Sequence, residues 1–197
     1  MFCDFDVTSS QPNYFAQWRV SLTAAALRGG EVVACPAEGV LGLSCDPFNE
    51  RAVWDLLRLK GRSLDKGLIL VAADAEPFLP LLNVLTQIQK EGVLASWPGP
   101  NTWLLPHRSH FPSWVTGVND TVAVRVTSSP ALRALCAAHG GPLVSTSANP
   151  AGRPAAQASW QLRRYFGQDL LALPGTLDPA GKASTIRRVG DGSIVRA

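Results

Sequence analysis

The 197-residue chain has no Cys-x-x-Cys among its four cysteines, so neither a disulfide framework nor a zinc ribbon is indicated. Cys3, Cys35, Cys45 and Cys136 lie far apart and read as reduced, mostly buried small residues. No apolar run approaches the ~20 residues of a membrane span. The acidic start Met1-Phe2-Cys3-Asp4-Phe5-Asp6 lacks the basic and apolar regions of a secretory signal, so a cytoplasmic protein without membrane attachment is expected. The phosphate loop G-x-x-x-x-G-K-[ST], the dinucleotide G-x-G-x-x-G, the zinc-protease H-E-x-x-H and the hydrolase G-x-S-x-G are all missing. His107 and His110 have metal-like spacing but stand between Pro106 and Pro112 with no partner carboxylate or cysteine, so no metal site is assigned.

Charge is scarce, at 17% of residues against 46% apolar, which is globular and not disordered composition. It is also uneven. Residues 1–50 carry two basic and six acidic side chains, and residues 101–197 carry ten basic and four acidic. The C-terminal half is therefore the candidate anion-facing part, unless its arginines are only solvated on helix faces.

Periodicity gives an alternation of helices and strands. Phe15, Trp18, Leu22 and Ala25/Ala26 recur at helical spacing over Tyr14–Arg28 and predict an apolar face, stopped by Gly29-Gly30. Short strands are expected at Val32–Cys35 and Val40–Cys45 around a Pro36-Ala37-Glu38-Gly39 turn. Asn49 can cap a helix through Lys60 with Val53, Leu56, Leu57 and Leu59 inward, and Gly61 breaks it. Further strands are expected at Leu68–Ala72, Thr102–Leu105, Thr121–Val126, Leu143–Ser145, Leu170–Leu173, Thr185–Val189 and Ser193–Arg196. Helices are expected within Glu76–Trp97, over Pro130–His139 and near Trp160–Phe166, with Gly181-Lys182-Ala183 as an exposed loop. Such alternation, over a length near the usual domain size, predicts one layered α/β domain across residues 1–197.

Two segments carry candidate chemistry. Lys60-x-Arg62, with Lys66 four residues later, gathers a guanidinium fork and point charges where a helix becomes a loop, a mix suited to anions. A solvated turn paired with Asp65 is the plain alternative. Ser145-Thr146-Ser147-Ala148-Asn149-Pro150 follows an apolar strand, which puts its hydroxyls and amide at the strand's carboxyl end, where open α/β sheets bind ligands. A turn that satisfies its own backbone is the plain alternative there.

Read in order with Pro36-x-Glu38, Cys45-Asp46-Pro47, Trp97-Pro98-Gly99-Pro100 and Ala123-Val124-Arg125-Val126, these segments resemble the YrdC-like family, which includes the TsaC-type threonylcarbamoyladenylate synthases. The resemblance runs from about Ala25 to Arg196 and is most specific in K-x-R followed about 85 residues later by P-L-V-S-T-S-A-N. It implies a three-layer α/β fold with a twisted mixed sheet and a concave basic cavity. It also implies condensation of L-threonine, bicarbonate and ATP, with Mg²⁺, into an adenylate and pyrophosphate. The product serves N6-threonylcarbamoylation of tRNA by a downstream threonylcarbamoyl transferase complex.

By motif match Lys60, Arg62, Ser147 and Asn149 would be the catalytic set, and Ser145, Lys66, Arg125 and Ser184 would bind nucleotide or substrate carboxylate. Glu38 and Ala37 would face the amino acid, with Arg196 near a C-terminal basic position. The usual P-T-E turn and following aromatic are Pro36-Ala37-Glu38 and Leu41 in this chain, which removes a hydroxyl and a ring and predicts looser amino-acid selectivity. Two further readings remain: a non-catalytic factor holding double-stranded RNA or tRNA, and a paralogue acting on another acceptor. Against the RNA reading, most Trp and Phe stand at core-like periodic positions.

Overall fold

The computed structural model describes residues 14–107, 109–177 and 183–196; Cys3 and most of the Gly181-Lys182-Ala183 loop lie outside them. Helix α1 (Tyr14–Arg28) leads to strands β1 (Val33–Pro36) and β2 (Leu41–Ser44), which pair as an antiparallel hairpin. Then come α2 (Glu50–Lys60), a 3-10 turn at Leu64–Lys66, and β3 (Ile69–Ala72). The Glu76–Trp97 region forms a 3-10 turn and two helices, α3 (Leu79–Leu82) and α4 (Gln87–Ala95). The chain continues through β4 (Asn101–Pro106), α5 (Ser113–Thr116), β5 (Thr121–Val126), α6 (Pro130–His139), β6 (Leu143–Ser147), α7 (Ser159–Phe166), β7 (Thr185–Arg188) and β8 (Ile194–Arg196).

The strands form one mixed sheet in the order β1-β2-β6-β3-β5-β4-β7-β8. Among the described strand pairs only β3 with β5 and β4 with β7 are parallel. Strand β6 enters between β2 and β3, antiparallel to both, with Gly42 opposite Ser147 and Ile69 opposite Ser145. This insertion brings residues near 40, 65 and 147 to one place.

Helices cover both faces. Along β3, Leu70 and Ala72 join a large apolar cluster with Val53, Leu56, Leu57, Phe78 and Leu162, whereas Val71 joins a second one with Leu27, Leu132, Leu135 and Cys136. The alternation of side chains along a strand divides the core into these two layers. Each fully buried leucine contributes about 1.5–3 kcal/mol relative to exposure. Cys35, Cys45 and Cys136 are free and buried, as expected.

Several expectations are corrected. Trp18 and Leu22 are exposed, and α1 instead buries Thr23, Ala24 and Leu27, because small residues let it lie close against α6 and β1. Leu59 likewise faces out, and α2 turns in Ala52 and Lys60 beside Val53, Leu56 and Leu57. Residues 170–173 make only a bridge to the outer edge of β1, through Ala34 N–H to the Leu171 carbonyl and Leu173 N–H to the Ala34 carbonyl. No described helix is long and apolar enough to cross a membrane.

Candidate active site

Two connections position the site. Asn49 Oδ1 caps α2 by accepting from Ala52 N–H, and Gly61, at φ +58°, ends the helix in the left-handed region. Arg62 leaves that cap and donates from its guanidinium to the Gly67 carbonyl at 3.0 Å. Gly67 has φ +60°, and a Cβ there would stand 2.9 Å from the Thr116 carbonyl oxygen. Only glycine lets this turn pack close enough to α5 to hold Arg62 in place.

Arg62 and the carboxyl end of β6 open on one cavity of about 420 Å³. Its lining includes Ala37, Glu38, Arg62, Lys66, Arg125, Ser145, Thr146, Ser147 and Ser184, together with Arg188 and Arg196. Lys60 and Asn149 are not among the lining residues, and neither is Leu41, which packs in the core. Sequence reasoning missed Arg188 as well as Thr116, Asn119 and Thr121. Strand alternation was the available signal for Arg188: Ser184, Ile186 and Arg188 share the side of β7 that faces the cavity.

Among the described residues Glu38 is the one carboxylate in the lining, and it is already engaged. Its Oε2 lies 3.1 Å from Arg125 Nη1, with both side chains nearly fully buried. Its Oε1 accepts from Thr127 Oγ at 2.7 Å and from Ser128 N–H at 3.2 Å, while Ser129 Oγ donates to the Pro36 carbonyl at 2.9 Å. The Pro36–Gly39 turn is thus fastened to the start of α6. At the other wall, Arg196 donates to the Ser184 carbonyl at 3.2 Å, and Thr102 Oγ and Ser184 Oγ are 2.9 Å apart.

The electrostatics are one-sided. Burial, and then repulsion from Arg196, lowers the pKa of Arg62. Burial lowers that of Arg125, Glu38 opposes the shift, and Arg196 adds to it. Arg196 lies on an exposed strand, and partial desolvation where it meets the cavity wall lowers its own pKa. One cation therefore acts on two others across a partly dehydrated space, and a bound anion would relieve all three. Among the described residues the Arg62 and Arg125 Nε groups are buried without hydrogen-bond partners.

Behind the lining, Lys60 is 4% exposed, and burial, with Arg62 next to it, lowers its pKa to about 8. Its ammonium donates to the carbonyls of Ser147 and Asn149 and to Asn149 Oδ1. Among the described residues no group of three or more His, Cys, Asp or Glu could hold a metal ion. Trp54 and Trp160 are exposed, as are Trp18 and Phe48, so the expectation that the aromatics sit in the core does not hold for them.

Residues 25–197 match the Sua5/YciO/YrdC family model, which carries the description "Telomere recombination". The threonylcarbamoyl-AMP synthase of Pseudomonas fluorescens strain Pf0-1 is 51% identical over 180 residues, covering 91% of this chain and 97% of that protein. The protein of the same name from Pseudomonas savastanoi pv. phaseolicola is 46% identical over 183 residues, covering 92% and 98%. Among solved structures, P. abyssi Sua5 complexed with L-threonine superposes with a TM-score of 0.79 at 29% identity, over 87% of this chain and 51% of that one. E. coli YciO shares the fold, with a TM-score of 0.79 at 21% identity over 91% and 89%. With its mixed sheet, its cavity at the end of β6 and this breadth of match, the chain belongs to the Sua5/YciO/YrdC family.

Proposed function

We propose that the protein is an L-threonylcarbamoyl-AMP synthase, which converts L-threonine, bicarbonate and ATP into threonylcarbamoyl-AMP, pyrophosphate and water. The observation that carries this reading is the convergence of Arg62, Arg125, Arg188 and Arg196 with the β6 hydroxyls in one cavity. Relatives of nearly the same length and about half identical sequence bear that name.

In this reading the threonine amine adds to bicarbonate-derived carbon to give a carbamate. A carbamate oxygen then attacks the α-phosphorus of ATP, and the bond to the bridging oxygen breaks as pyrophosphate leaves. No protein nucleophile is needed. The protein aligns two anions and stabilises charge that grows on the phosphate oxygens, which fixed cations do well in a partly dehydrated pocket. Arg62, Arg196, Lys66 and Arg188 are assigned to the polyphosphate. Arg125, buried beside Glu38 next to the Ala37 turn, is assigned to the threonine carboxylate. Ser145 and Ser184 are assigned to nucleotide oxygens. Because Glu38 is committed to Arg125, Mg²⁺ would enter as part of the substrate, chelated by the ATP phosphates.

The product would serve N6-threonylcarbamoylation of tRNA through a separate transferase, in the cytoplasm, with residues 1–197 acting as one catalytic domain. Purified protein given ATP, Mg²⁺, bicarbonate and L-threonine is expected to release pyrophosphate and form the adenylate, followed by mass spectrometry. Absence of any product that depends on both threonine and bicarbonate would overturn the assignment. Steeply salt-dependent duplex RNA binding without turnover would favour the RNA-binding reading instead.

Ala37 lines the cavity with a methyl group where the family's turn carries a hydroxyl. A site that hydrogen-bonds a substrate hydroxyl rejects analogues lacking it by about 10⁴–10⁵-fold, whereas an apolar wall discriminates by only about 10–200-fold. Serine and valine are accordingly expected to support pyrophosphate release within about 200-fold of threonine. A relative that retains the hydroxyl serves as comparison, and equally sharp selectivity in the two proteins would count against the role given to Ala37.

A further inference from the structure

Lys60 reads from the sequence as a cation for substrate, yet its surroundings leave it nothing to offer. An ammonium has three hydrogens and no acceptor. Lys60 faces three acceptors, the Ser147 carbonyl, the Asn149 carbonyl and Asn149 Oδ1, all belonging to the segment that follows β6. Its own carbonyl accepts from Ala151 N–H at 2.7 Å, so backbone and side chain both hold the same loop. The side chain is buried and absent from the cavity lining.

The polarity of the next contact follows from the hydrogen-bond inventory. Asn149 Nδ2 donates to the Pro150 carbonyl at 3.1 Å and the Arg153 carbonyl at 2.7 Å, which fixes which end of the amide is nitrogen. Oδ1 therefore meets Lys60 Nζ at 3.3 Å and Ser147 Oγ at 2.6 Å. An amide oxygen only accepts, so the Ser147 hydroxyl spends its hydrogen on Asn149. Ser147 lines the cavity with lone pairs to present and no proton to give.

We infer that Lys60 and Asn149 form a positioning relay that fixes Ser147 as a hydrogen-bond acceptor toward the substrate, so that Ser147 receives a substrate N–H or O–H and does not bind phosphate oxygen. This rests on the synthase reading, in which two donors are available: a ribose hydroxyl of ATP and the N–H of the threonine carbamate. Lys60 touches neither and acts through Ser147.

The experiment compares wild type, Lys60→Met, Ser147→Ala and the double variant in product formation from ATP, bicarbonate and threonine. Lys60→Met is expected to lower kcat/KM for ATP by about 100-fold, the scale of a misplaced contact. The double variant should be little worse than the more damaged single one, while Lys60→Met combined with Arg62→Ala should multiply. Multiplying losses for Lys60→Met and Ser147→Ala overturn the relay. Substrates 2′-deoxy-ATP, 3′-deoxy-ATP and N-methyl-threonine separate the two donors. Wild type should discriminate against one of them and Ser147→Ala should not; equal discrimination by both proteins against all three overturns the acceptor assignment.

Amide hydrogen exchange keeps this inference separable from the synthase reading. Even with no product from wild type, exchange in the 145–151 segment should accelerate in Lys60→Met and stay unchanged in Arg62→Ala; unaltered exchange in Lys60→Met overturns the relay. Circular dichroism checks folding, and Lys60→Gln, which keeps one donor group, replaces the methionine variant if that one does not fold.

Discussion

Arg62→Ala is expected to lower kcat/KM for ATP by about 10²–10³-fold, the usual cost of removing one preorganised group that stabilises developing charge. Arg62 leaves the α2 cap, lines the cavity and is pressed by the field of Arg196. Among the described residues its side chain makes a single hydrogen bond, the donation to the Gly67 carbonyl, and its Nε has no partner. Little folding energy therefore depends on it, about 0.5–1.5 kcal/mol for that hydrogen bond. Thermal melting of Arg62→Ala should stay within a few degrees of wild type while pyrophosphate release collapses. Arg62→Lys should recover part of the loss, since it restores charge without the planar fork. Retained turnover in the alanine variant, or a large fall in melting temperature, would assign Arg62 to the scaffold.

Glu38→Ala should do the reverse and act first on the fold. The substitution leaves the Arg125 guanidinium buried without its carboxylate and strips the acceptor from Thr127 Oγ and Ser128 N–H. Removing one partner of a buried ion pair costs about 3–5 kcal/mol, because the remaining charge is uncompensated. For a chain of this size that is a fall of roughly 10 °C in melting temperature. The pair itself need not be strongly stabilising, since the attraction repays desolvation already spent. Glu38→Ala combined with Arg125→Met should therefore melt above Glu38→Ala alone, although both variants should be poor synthases. Calorimetric melting of the three proteins decides it; an additive loss in the double variant would show that the two side chains are not coupled.

Much of the fold was legible because local signals agreed with one another. Tyr14–Arg28 and Pro130–His139 have clear stops in Gly29 and Gly140, and β5 has the alternation and β-branched residues of a strand. The inward face of α1 was not legible. Apolar periodicity pointed to Trp18 and Leu22, but Ala24 and Leu27 permit a closer approach to α6, and packing distance prevailed over hydrophobicity. Residues 170–173 look like any apolar strand; that they make only a bridge to β1 depends on the sheet already having its edge there.

At the site, Arg62, Lys66 and the serines could be chosen from their residue types and order. The direction of Lys60 could not, because nothing local distinguishes an ammonium that faces a ligand from one that faces the carbonyls of a distant loop. Arg188 was hidden for another reason. It stands beside Arg187, and only the register of β7 against β4 selects which of the two meets the cavity.

The outermost strands have a consequence for how the protein comes into being during translation. Strand β8 is exposed along its length and supplies no residue to either apolar cluster, yet it carries Arg196, and it follows Arg188 on β7 and Ser184 just ahead of β7. A nascent chain can bury both apolar layers before this segment has emerged. For that interval it is a folded body with an unfinished anion pocket.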